Sequence, residues 1–417
     1  MMKPVESSLF LERFLTYVKF DTQSSEESDS YPSTARQLEL SKYLKKELDE
    51  MGLHDVEMTE HGYVFATLPA NIEGKIPTIG FIAHVDTSPD VSGANVQAII
   101  NRNYQGGDIV LQKDKSQIIE FAMNPALQNC IGHDIITTDG TTLLGADNKA
   151  GIAEIMGAVN YLLENPEIKH GDIRIAFTVD EEVGTGTKHF DVQSFKAEYA
   201  YTIDGETAGE LEDETFCADT AVVAIKGVNM HPGFAKGKMV NSIKIAAEFI
   251  ARLPVDSVSP ETTEEREGYL HPHAVKAAVE ESQVTLLVRD FEVEGLKKKE
   301  ELLAEIGDTL KQKYPKAQIN LEIKESYRNM KLVLDQHPEV VEYALEAIRR
   351  TGLTPKKSLI RGGTDGARLS FMGLPTPNIF TGGHNFHSKK EWISIQDMQK
   401  AVETIVHLCQ IWVEKSK

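Results

Sequence analysis

Polar side chains with metal-binding atoms follow four apolar segments that have the pattern of buried strands. His84 and Asp86 follow IGFIA, Asp147 follows TLLGA, Glu181 and Glu182 follow IAFTVD, and Asp204 follows AYTI. In doubly wound sheets, ligands bind at the carboxyl ends of the strands. One acidic residue there is unremarkable, because strand ends need polar terminators. Several such residues together predict a metal site at one edge of a sheet.

The spacing of these residues suggests different roles for neighbouring side chains. His84 and Asp86 are two positions apart, so in an extended segment both side chains lie on the same face. This suits a metal-binding histidine whose second ring nitrogen donates to a carboxylate, which fixes the tautomer. Glu181 and Glu182 are adjacent and diverge, so one can bind metal while the other acts as a base. The alternative is two solvated acids on a loop, since glutamate is mostly exposed.

A late histidine supplies one more candidate ligand. His387 of GGHNFHSKKEW follows a glycine pair and the apolar segment NIF, so a third part of the chain can deliver it to the same edge. A single late histidine is more often a structural or surface residue. The nearby His384 has equal standing on spacing alone, and the residues themselves do not choose between the two.

Hydrophobic periodicity predicts the elements that carry these side chains. Apolar residues at three- and four-residue spacing predict two helices in the first 55 residues, and Gly52 marks a helix end. From there to about residue 210, apolar strands alternate with helices, which predicts a largely parallel sheet covered by helices. The stretch from Ser88 to Asp139 interrupts this alternation, and we expect it to be irregular with short strands.

The pattern between residues 213 and 327 predicts a second domain. It runs strand (DTAVVAIKG), helix, strand (SQVTLLVRDFE), helix and strand (QINLEIKE), an α+β unit of ferredoxin-like type. Residues 328–417 return to helix and strand and most simply rejoin residues 1–212. We therefore predict an α/β catalytic domain in two segments with an inserted lid domain. His271 and His273 of YLHPH have the spacing of a metal pair, but the proline between them favours a plain loop.

Composition excludes several classes of protein. The 417 residues include 64 acidic and 44 basic side chains, a formal charge of −20, which argues against nucleic-acid and anionic-membrane partners. Cys130, Cys217 and Cys409 are far apart, which fits a reducing compartment and no thiolate metal site. No apolar run approaches about 18 residues, and Pro4 and Glu6 interrupt the start, so we expect a soluble cytoplasmic protein. Self-association is left open.

Seven segments together resemble one family closely. They are HVDTSPD, LLGADNKAGIAEIM, TVDEEVGTG, YTIDGE, HPG, RGGTDGARLSFMGLPTPN and FTGGHNFH, and they occur in order across essentially the whole chain. The sequence is similar to the peptidase T family, bacterial tripeptide aminopeptidases within the dinuclear zinc exopeptidases, a group that also holds carboxypeptidases and aminoacylases. The stretch DIITTDGTTLLGADNKAG looks specific to peptidase T. The resemblance implies a catalytic domain like that of the zinc exopeptidases, with a lid.

The resemblance implies a role for each candidate, taken position by position. The implied metal ligands are His84 and Asp204 for one zinc ion, Glu182 and His387 for the other, and Asp147 between them. Asp86 would orient the His84 ring, and Glu181 would be the general acid and base. The family's ligand is the histidine after Asn-Phe or Asn-Tyr, so the resemblance favours His387 over His384.

The resemblance also implies residues that bind substrate. His231 of NMHPG and Asn241 match positions that help to hold the substrate carbonyl, and Arg289 and Arg361 match basic positions that face its carboxylate. From the residues alone, His231 reads equally as a turn residue. Arg289 can instead pair with Asp290 on the surface. Arg361 lies in a Gly-rich loop suited to bidentate carboxylate recognition.

Two histidines and three carboxylates form a nitrogen and oxygen ligand set that accommodates zinc, cobalt or manganese. The resemblance implies two zinc ions per subunit with a bridging water, and a non-proline cis bond between Asp147 and Asn148. With Glu181 as the base, we expect removal of the N-terminal residue from tripeptides with a free N-terminus. A related dipeptidase, carboxypeptidase or aminoacylase with the same metal centre is the alternative. A binding protein without turnover would lack the base or a ligand, and none is missing.

Overall fold

The computed structural model describes residues 3–416, which form two compact units. Unit 1 comprises the described residues up to Asp213, Val333–Ser358 and the described residues from Thr364 onward. Unit 2 comprises Glu214–Leu332 and the short segment Leu359–Gly363. That segment carries Arg361, which the sequence placed in the second catalytic segment. The predicted boundaries after residues 212 and 327 stay predictions.

The described residues form eighteen strands and eleven α-helices. The strands are β1 (His54–Met58), β2 (Val64–Leu68), β3 (Ile79–His84), β4 (Ile99–Asn101), β5 (Ile109–Val110), β6 (Ile118–Ile119), β7 (Ile135–Thr137), β8 (Ile173–Thr178), β9 (Tyr199–Gly205), β10 (Glu210–Thr215), β11 (Cys217–Lys226), β12 (Tyr269–Ala277), β13 (Glu281–Asp290), β14 (Gln318–Tyr327), β15 (Lys356–Ile360), β16 (Asn378–Phe380), β17 (Gly383–His384) and β18 (Trp392–Ser394). The helices are α1 (Leu11–Tyr17), α2 (Gln37–Glu50), α3 (Pro125–Gln128), α4 (Ala146–Glu164), α5 (Val192–Phe195), α6 (Ser242–Ala251), α7 (Val293–Lys313), α8 (Lys331–Leu334), α9 (Pro338–Arg350), α10 (Asp365–Phe371) and α11 (Ile395–Lys415). None of these helices is long and apolar enough to cross a membrane.

The main sheet has eight strands in the order β1-β2-β8-β3-β9-β16-β10-β15. The four central strands β8, β3, β9 and β16 are parallel, whereas β2 pairs antiparallel with β8, and β10 with β16. Every residue of β2, β3 and β8 is buried, as expected for strands covered on both faces. Helices α4 and α11 pack together, and α4 packs on β3 and β9. The predicted α/β fold with a largely parallel, helix-covered sheet is confirmed.

The predicted irregular stretch between residues 88 and 139 contains the short strands β4 to β7 and the short helix α3. Strands β4 and β7 join β17 and β18 in a separate sheet of order β17-β18-β7-β4. A small apolar cluster that includes Leu127, Cys130 and Trp392 packs beside it. Residues 383–394, which carry both candidate histidines, are thus held by residues about 250 positions earlier in the chain.

Two local predictions are wrong. The segment before Asp147 is not a strand, because Asp147 lies in the first turn of α4, after the left-handed Gly145. The YLHPH segment is not a loop, because His271 and His273 lie in β12. This strand is at the edge of its sheet and its register shifts at Pro272, which is where a sheet tolerates proline.

Unit 2 contains a four-stranded antiparallel sheet of order β12-β13-β11-β14. Its elements follow the sequence β11, α6, β12, β13, α7, β14, which is the ferredoxin-like arrangement. Alternate residues of β11 and β13, such as Val223 and Val284, pack against apolar residues of α6 and α7, such as Phe249 and Leu303. The predicted α+β type of this region is therefore confirmed.

Candidate metal centre

The five side chains predicted as metal ligands meet in unit 1, and we call them the ligand cluster. Nε2 of His84 lies 3.0 Å from Oδ1 of Asp147 and 3.5 Å from Oδ1 of Asp204. Nε2 of His387 lies 3.2 Å from Oδ2 of Asp147 and 2.8 Å from Oε2 of Glu182. The cluster thus consists of two groups of one histidine and two carboxylates, which share Asp147. Within each group the ligand atoms lie within 4.8 Å of one another.

Three adjacent parallel strands and two other segments deliver these side chains. His84 ends β3, Asp204 is the last residue but one of β9, and Glu182 follows the end of β8. Because these strands are parallel neighbours, their carboxyl ends meet at one edge of the sheet. Asp147 enters from the start of α4, where its peptide bond to Asn148 is cis, as the resemblance implied. His387 follows β17 with a left-handed backbone, φ 58°.

Crowded carboxylates dominate the electrostatics of the ligand cluster. Burial raises the pKa of Asp204 to about 6 and that of Glu182 to about 8. Hydrogen bonds to Asp147 and Glu182 raise the pKa of His387 to about 11. Burial alone would lower the pKa of His84, but the charge of Asp204 and hydrogen bonds to the surrounding carboxylates outweigh it and raise the pKa. The cluster therefore favours additional positive charge.

The residues present fit a pair of divalent ions. Oε1 of Glu182 is buried and has no hydrogen-bond partner among residues 3–416. A buried carboxylate oxygen without a partner is costly, and a cation offsets that cost. The donor set contains only imidazole nitrogen and carboxylate oxygen, which suits zinc, cobalt or manganese.

Asp86 supports the cluster from behind. It is fully buried, and Nδ1 of His84 lies 3.1 Å from its backbone carbonyl oxygen and 3.3 Å from its Oδ1, on the far side of the ring from the other carboxylates. The two carboxylate oxygens of Asp86 accept the backbone N–H groups of Glu181, at 3.1 Å, and Glu182, at 3.2 Å. One residue therefore fixes both a histidine ring and the turn that presents the two glutamates.

Glu181 lies on a turn that buried contacts hold in place. Burial raises its pKa well above the usual value, and the nearby charge of His84 opposes this effect. The preceding residue, Asp180, has a left-handed backbone and accepts hydrogen bonds of 2.6 Å from the backbone N–H of Ser33 and from Nε2 of Gln37. A glutamate that resists ionisation on a fixed turn is suited to carry a proton.

Glu391 is a residue of the site that sequence reasoning missed. Its buried carboxylate accepts the backbone N–H groups of Leu144 at 2.6 Å, Gly145 at 2.8 Å and Asp147 at 3.0 Å. It therefore holds the start of α4 and, with it, Asp147, which both ligand groups share. Burial raises the pKa of Glu391 to about 7. In the sequence it stands in SKKEW, which looks like an exposed charged turn, so no local signal marks it.

Asp365 of the RGGTDG segment was also missed. It is buried, and its Oδ2 accepts a hydrogen bond of 2.9 Å from Oγ1 of Thr178, the last residue of β8. Gly186 approaches it so closely that a Cβ there would lie 2.4 Å from Oδ1. Burial raises the pKa of Asp365 to about 7. The Thr-Asp-Gly pattern beside Arg361 is a usable sequence signal for this residue.

The structure separates the two candidate histidines. The His384 ring is buried and stacks on Trp392 with ring centroids 4.4 Å apart, and burial lowers its pKa to about 4. His384 is not part of either ligand group, whereas His387 is. Both residues line a cavity of about 640 Å³. Its other walls include Pro125, Ala126, Glu206, Phe386 and Trp392.

The four predicted substrate-binding residues belong to unit 2. His231 is exposed, and its Nδ1 accepts the backbone N–H of Gly233. Asn241 caps α6 by accepting the N–H of Ile243. These contacts use each side chain locally, and their proposed roles towards substrate stay predictions.

The two arginines lie near the same aromatic residue of unit 2. The guanidinium of Arg361 stacks over Tyr269 at 5.8 Å, and Tyr269 is the cross-strand neighbour of Arg289. Arg289 donates from Nη1 to the carbonyl of Asp219, at 3.0 Å. Arg361 donates from Nη1 to the carbonyls of Glu265 and Glu267, at 2.7 and 2.9 Å. Both side chains therefore already bind backbone carbonyls.

Comparison with known proteins gives consistent matches. A model of the peptidase family M20/M25/M40 matches residues 139–411. Peptidase T of Caldanaerobacter subterraneus is 51% identical over 408 residues, which cover 98% of this chain and 100% of that protein. Peptidase T of Clostridium perfringens is 51% identical over 404 residues, covering 97% and 99%.

Solved structures share the fold. An aminopeptidase PepT from Bacillus cereus has a TM-score of 0.76 at 24% identity, covering 98% of this chain and 99% of that one. A tripeptidase from Staphylococcus aureus has a TM-score of 0.78 at 22% identity, covering 99% and 100%. A dinuclear metal-binding M20 peptidase from Bacillus subtilis has a TM-score of 0.65 at 14% identity, covering 98% and 99%. The fold agrees with the family model and the sequence relatives, which show that the chain belongs to the peptidase T family, within the M20/M25/M40 peptidases.

Proposed function

We propose that this chain removes the N-terminal residue of tripeptides, with two zinc ions held by the ligand cluster and Glu181 as general acid and base. The observation that carries the proposal is the pair of ligand groups joined at Asp147, found in a chain of the peptidase T family. His84 and Asp204 would hold one ion, and Glu182 and His387 the other. When bound, two such ions polarise a carbonyl oxygen and lower the pKa of water.

The chain's own residues would perform the proton transfers. Glu181 takes a proton from the attacking water and delivers it to the leaving amine, which requires a carboxylate whose pKa lies near the working pH. The burial that raises the pKa of Glu181 supports this role. Asp86 keeps both Glu181 and the His84 ring in place, because it bonds to both. Glu391 keeps the shared ligand in place through the backbone of Asp147.

An aminopeptidase must also recognise a free α-amino group. The cavity lined by Glu206 and Phe386 includes His387 of the ligand cluster, so it opens beside the proposed reaction centre. The backbone carbonyl of Glu206 accepts the N–H of Gly382 at 2.8 Å, which ties Glu206 to the loop that leads to His387. We propose that this cavity takes the N-terminal side chain and that the Glu206 carboxylate binds the α-ammonium. The contact of Arg289 and Arg361 with the terminal carboxylate stays a prediction, because both side chains already donate to backbone carbonyls.

The test of the activity is product identification after incubation of the zinc-loaded protein with peptides of one composition. The set contains a tripeptide, the matching dipeptide and tetrapeptide, and the N-acetylated tripeptide. We expect release of the N-terminal residue from the free tripeptide alone. Cleavage from the carboxyl end, or of the acetylated peptide or dipeptide, would overturn the aminotripeptidase assignment in favour of a dipeptidase, carboxypeptidase or aminoacylase with the same centre.

The metal centre has a separate test, which does not depend on turnover. Because Asp147 is shared, Asp147→Asn is expected to lower the affinity for both ions, whereas Asp204→Asn is expected to weaken only one of them. Metal content after dialysis at a fixed free zinc concentration distinguishes these outcomes. Equal loss in the two variants would contradict the assignment of a shared ligand.

A further inference from the structure

A second group of metal-binding side chains lies in unit 1 and shares no residue with the ligand cluster. Cys130 follows α3, His133 precedes β7, and Asp397 lies in the first turn of α11. Their donor atoms all lie within 4.8 Å of one another. The sequence argued against a thiolate metal site because the cysteines are far from one another. A mixed set of cysteine, histidine and aspartate needs only one cysteine, and folding alone brings these three together.

We propose that Cys130, His133 and Asp397 form a third metal site, which binds one zinc ion or a similar divalent ion of borderline softness. Thiolate sulfur, imidazole nitrogen and carboxylate oxygen are the three donors that zinc takes in proteins. With a Zn–S bond of about 2.3 Å and a Zn–O bond of about 2.0 Å, tetrahedral ligands lie about 3.5 Å apart. Sγ of Cys130 lies 3.5 Å from Oδ2 of Asp397, and Nδ1 of His133 lies 3.8 Å from its Oδ1.

The surroundings of Asp397 favour a cation. The residue is buried, and within residues 3–416 the only basic side chain within ion-pair distance of it is His133, at 3.8 Å. Its other side-chain hydrogen-bond partners are the thiol of Cys130, a weak donor, and the hydroxyl of Ser394. A buried carboxylate without a strong cationic partner is costly, and a bound divalent ion would offset that cost.

The proposed site has three protein ligands and one further position. Oγ of Ser394, 2.9 Å from Nδ1 of His133, already accepts the backbone N–H of Asp397, which leaves the fourth position to a water molecule. Zinc sites with three protein ligands keep an exchangeable position. We therefore expect an ion that exchanges with solvent zinc, in contrast to a closed structural site.

The chemistry of binding is a simple exchange of a proton for a metal ion. Burial raises the pKa of the Cys130 thiol well above its usual value, so the sulfur keeps its proton until a metal displaces it. Binding breaks the S–H bond, forms a metal–sulfur bond and releases one proton to solvent, and no electron is transferred. Affinity therefore falls as the pH falls. Magnesium and calcium, which prefer oxygen ligands, do not compete well.

The position of the site suggests its effect. Cys130 belongs to the apolar cluster with Leu127 and Trp392, and helix α3 contributes Pro125 and Ala126 to the wall of the cavity beside His387. An ion at Cys130 would join the residues after α3 to the start of α11. We expect a filled site to stabilise this wall of the cavity, so that free zinc above the catalytic requirement raises the melting temperature.

Cobalt gives a test with a readout besides activity. The ligand cluster contains no sulfur, so a sulfur-to-cobalt charge-transfer band in the near ultraviolet reports only on the proposed site. Metal-free protein is titrated with Co²⁺ under anaerobic conditions, and we expect a band whose final intensity corresponds to one sulfur-bound cobalt ion per chain, in addition to the two ions that the ligand cluster takes. Cys130→Ser should abolish the band, whereas Cys217→Ala and Cys409→Ala, which change the other buried cysteines, should retain it. No band in the parent protein, or a band that persists in Cys130→Ser, would overturn the proposal.

A second variant keeps the proposal falsifiable if Cys130→Ser does not fold. The His133 side chain is 28% exposed, so His133→Gln should leave the fold intact. We expect the Co²⁺ affinity, measured from the titration of the charge-transfer band, to fall at least about tenfold. Even residues that only orient a metal ligand are worth about 10–100-fold in affinity. Unchanged affinity in His133→Gln would show that the histidine does not bind the ion and would contradict the site.

Discussion

The ligand cluster of unit 1 and the arginine pair of unit 2 both concentrate charge, but they treat it differently. In the cluster, carboxylates lie against one another, burial raises the pKa of Asp204 and Glu182, and Oε1 of Glu182 has no partner among the described residues. In unit 2, the guanidinium groups of Arg289 and Arg361 donate to backbone carbonyls and stack on aromatic rings. The ligand cluster therefore has buried carboxylates that lack cationic partners, whereas the arginines of unit 2 already have hydrogen-bond acceptors and aromatic neighbours.

The two regions differ in whether their charges need a bound ligand. Buried charges without partners cost stability, so they persist where a bound ion or a reaction uses them. Charges that already bond to the backbone contribute mainly to the fold. Substitutions in the ligand cluster should therefore change activity and metal affinity more than stability, and substitutions in the arginine pair should do the reverse.

The largest effect is expected for Glu181→Ala. Loss of a general acid and base costs about 10²–10⁴-fold in rate, so we expect kcat to fall by that factor or more. Metal content should stay unchanged, because Glu181 is not a predicted ligand. The melting temperature should not fall, because burial disfavours the ionised form of this carboxylate. Steady-state kinetics with metal analysis checks this, with Glu182→Gln as the comparison that should lose metal. Loss of metal in Glu181→Ala would mean that base and ligand are assigned the wrong way round.

The next largest effect is expected for Glu391→Gln. The amide keeps the shape of the side chain, but Oε2 accepts from Leu144 and Gly145 while Oε1 accepts from Asp147, so a donor in place of either oxygen faces at least one backbone N–H. Residues that orient a metal ligand are typically worth 10–100-fold in metal affinity or activity. We expect a loss of about that size in zinc affinity, measured by competition with a chelator. The exposed Glu60→Gln is the matched control, and equal affinity in both variants would remove Glu391 from the site.

A smaller effect, on stability, is expected for Arg361→Lys. Lysine cannot reproduce the hydrogen bonds of the guanidinium to the carbonyls of Glu265 and Glu267, so the free energy of unfolding should fall by about 1–3 kcal/mol. Denaturant unfolding measures the change, and KM for a tripeptide should rise little. A large rise in KM without a change in stability would instead support the predicted contact of Arg361 with the substrate carboxylate.

The smallest effect concerns pH and the buried His384. Burial lowers its pKa to about 4, so below about pH 6.5 the unfolded chain binds more protons than the folded one. Stability is then lost as the pH falls from about 6.5 towards 4, by about 1 kcal/mol at pH 5.5. His384→Phe, which keeps a ring against Trp392, should reduce this loss. The same substitution at the exposed His54 is the control, and an unchanged acid dependence in His384→Phe would contradict the neutral buried state.

Sequence patterns predicted the sheet because its strands are continuous apolar runs that end in polar residues. They also predicted the ferredoxin-like unit from alternating strands and helices. The prediction of a strand before Asp147 failed although the segment has the composition of a strand. Its backbone N–H groups donate to the carboxylate of Glu391, 244 residues after Asp147, instead of to a neighbouring strand. The prediction of a loop at YLHPH failed because proline is excluded from central strands but is tolerated in edge strands, and β12 is an edge strand. Spacing alone could not separate His384 from His387. The structure shows that His384 is buried against Trp392, whereas His387 lies among the carboxylates of the ligand cluster.

Local sequence patterns alone identify which residues could bind metal and which family the chain resembles, because candidate ligands at strand ends belong to short segments. The contacts that hold those residues in place appear only in the tertiary structure, because they join residues that meet only after folding. Asp86 contacts the His84 ring and the Glu181 turn at once, and Glu391 accepts the backbone N–H of Asp147. Cys130 and Asp397, 267 positions apart, come within hydrogen-bond distance. Such pairs have no signature in a single sequence, since neither side chain alone has a distinctive neighbourhood.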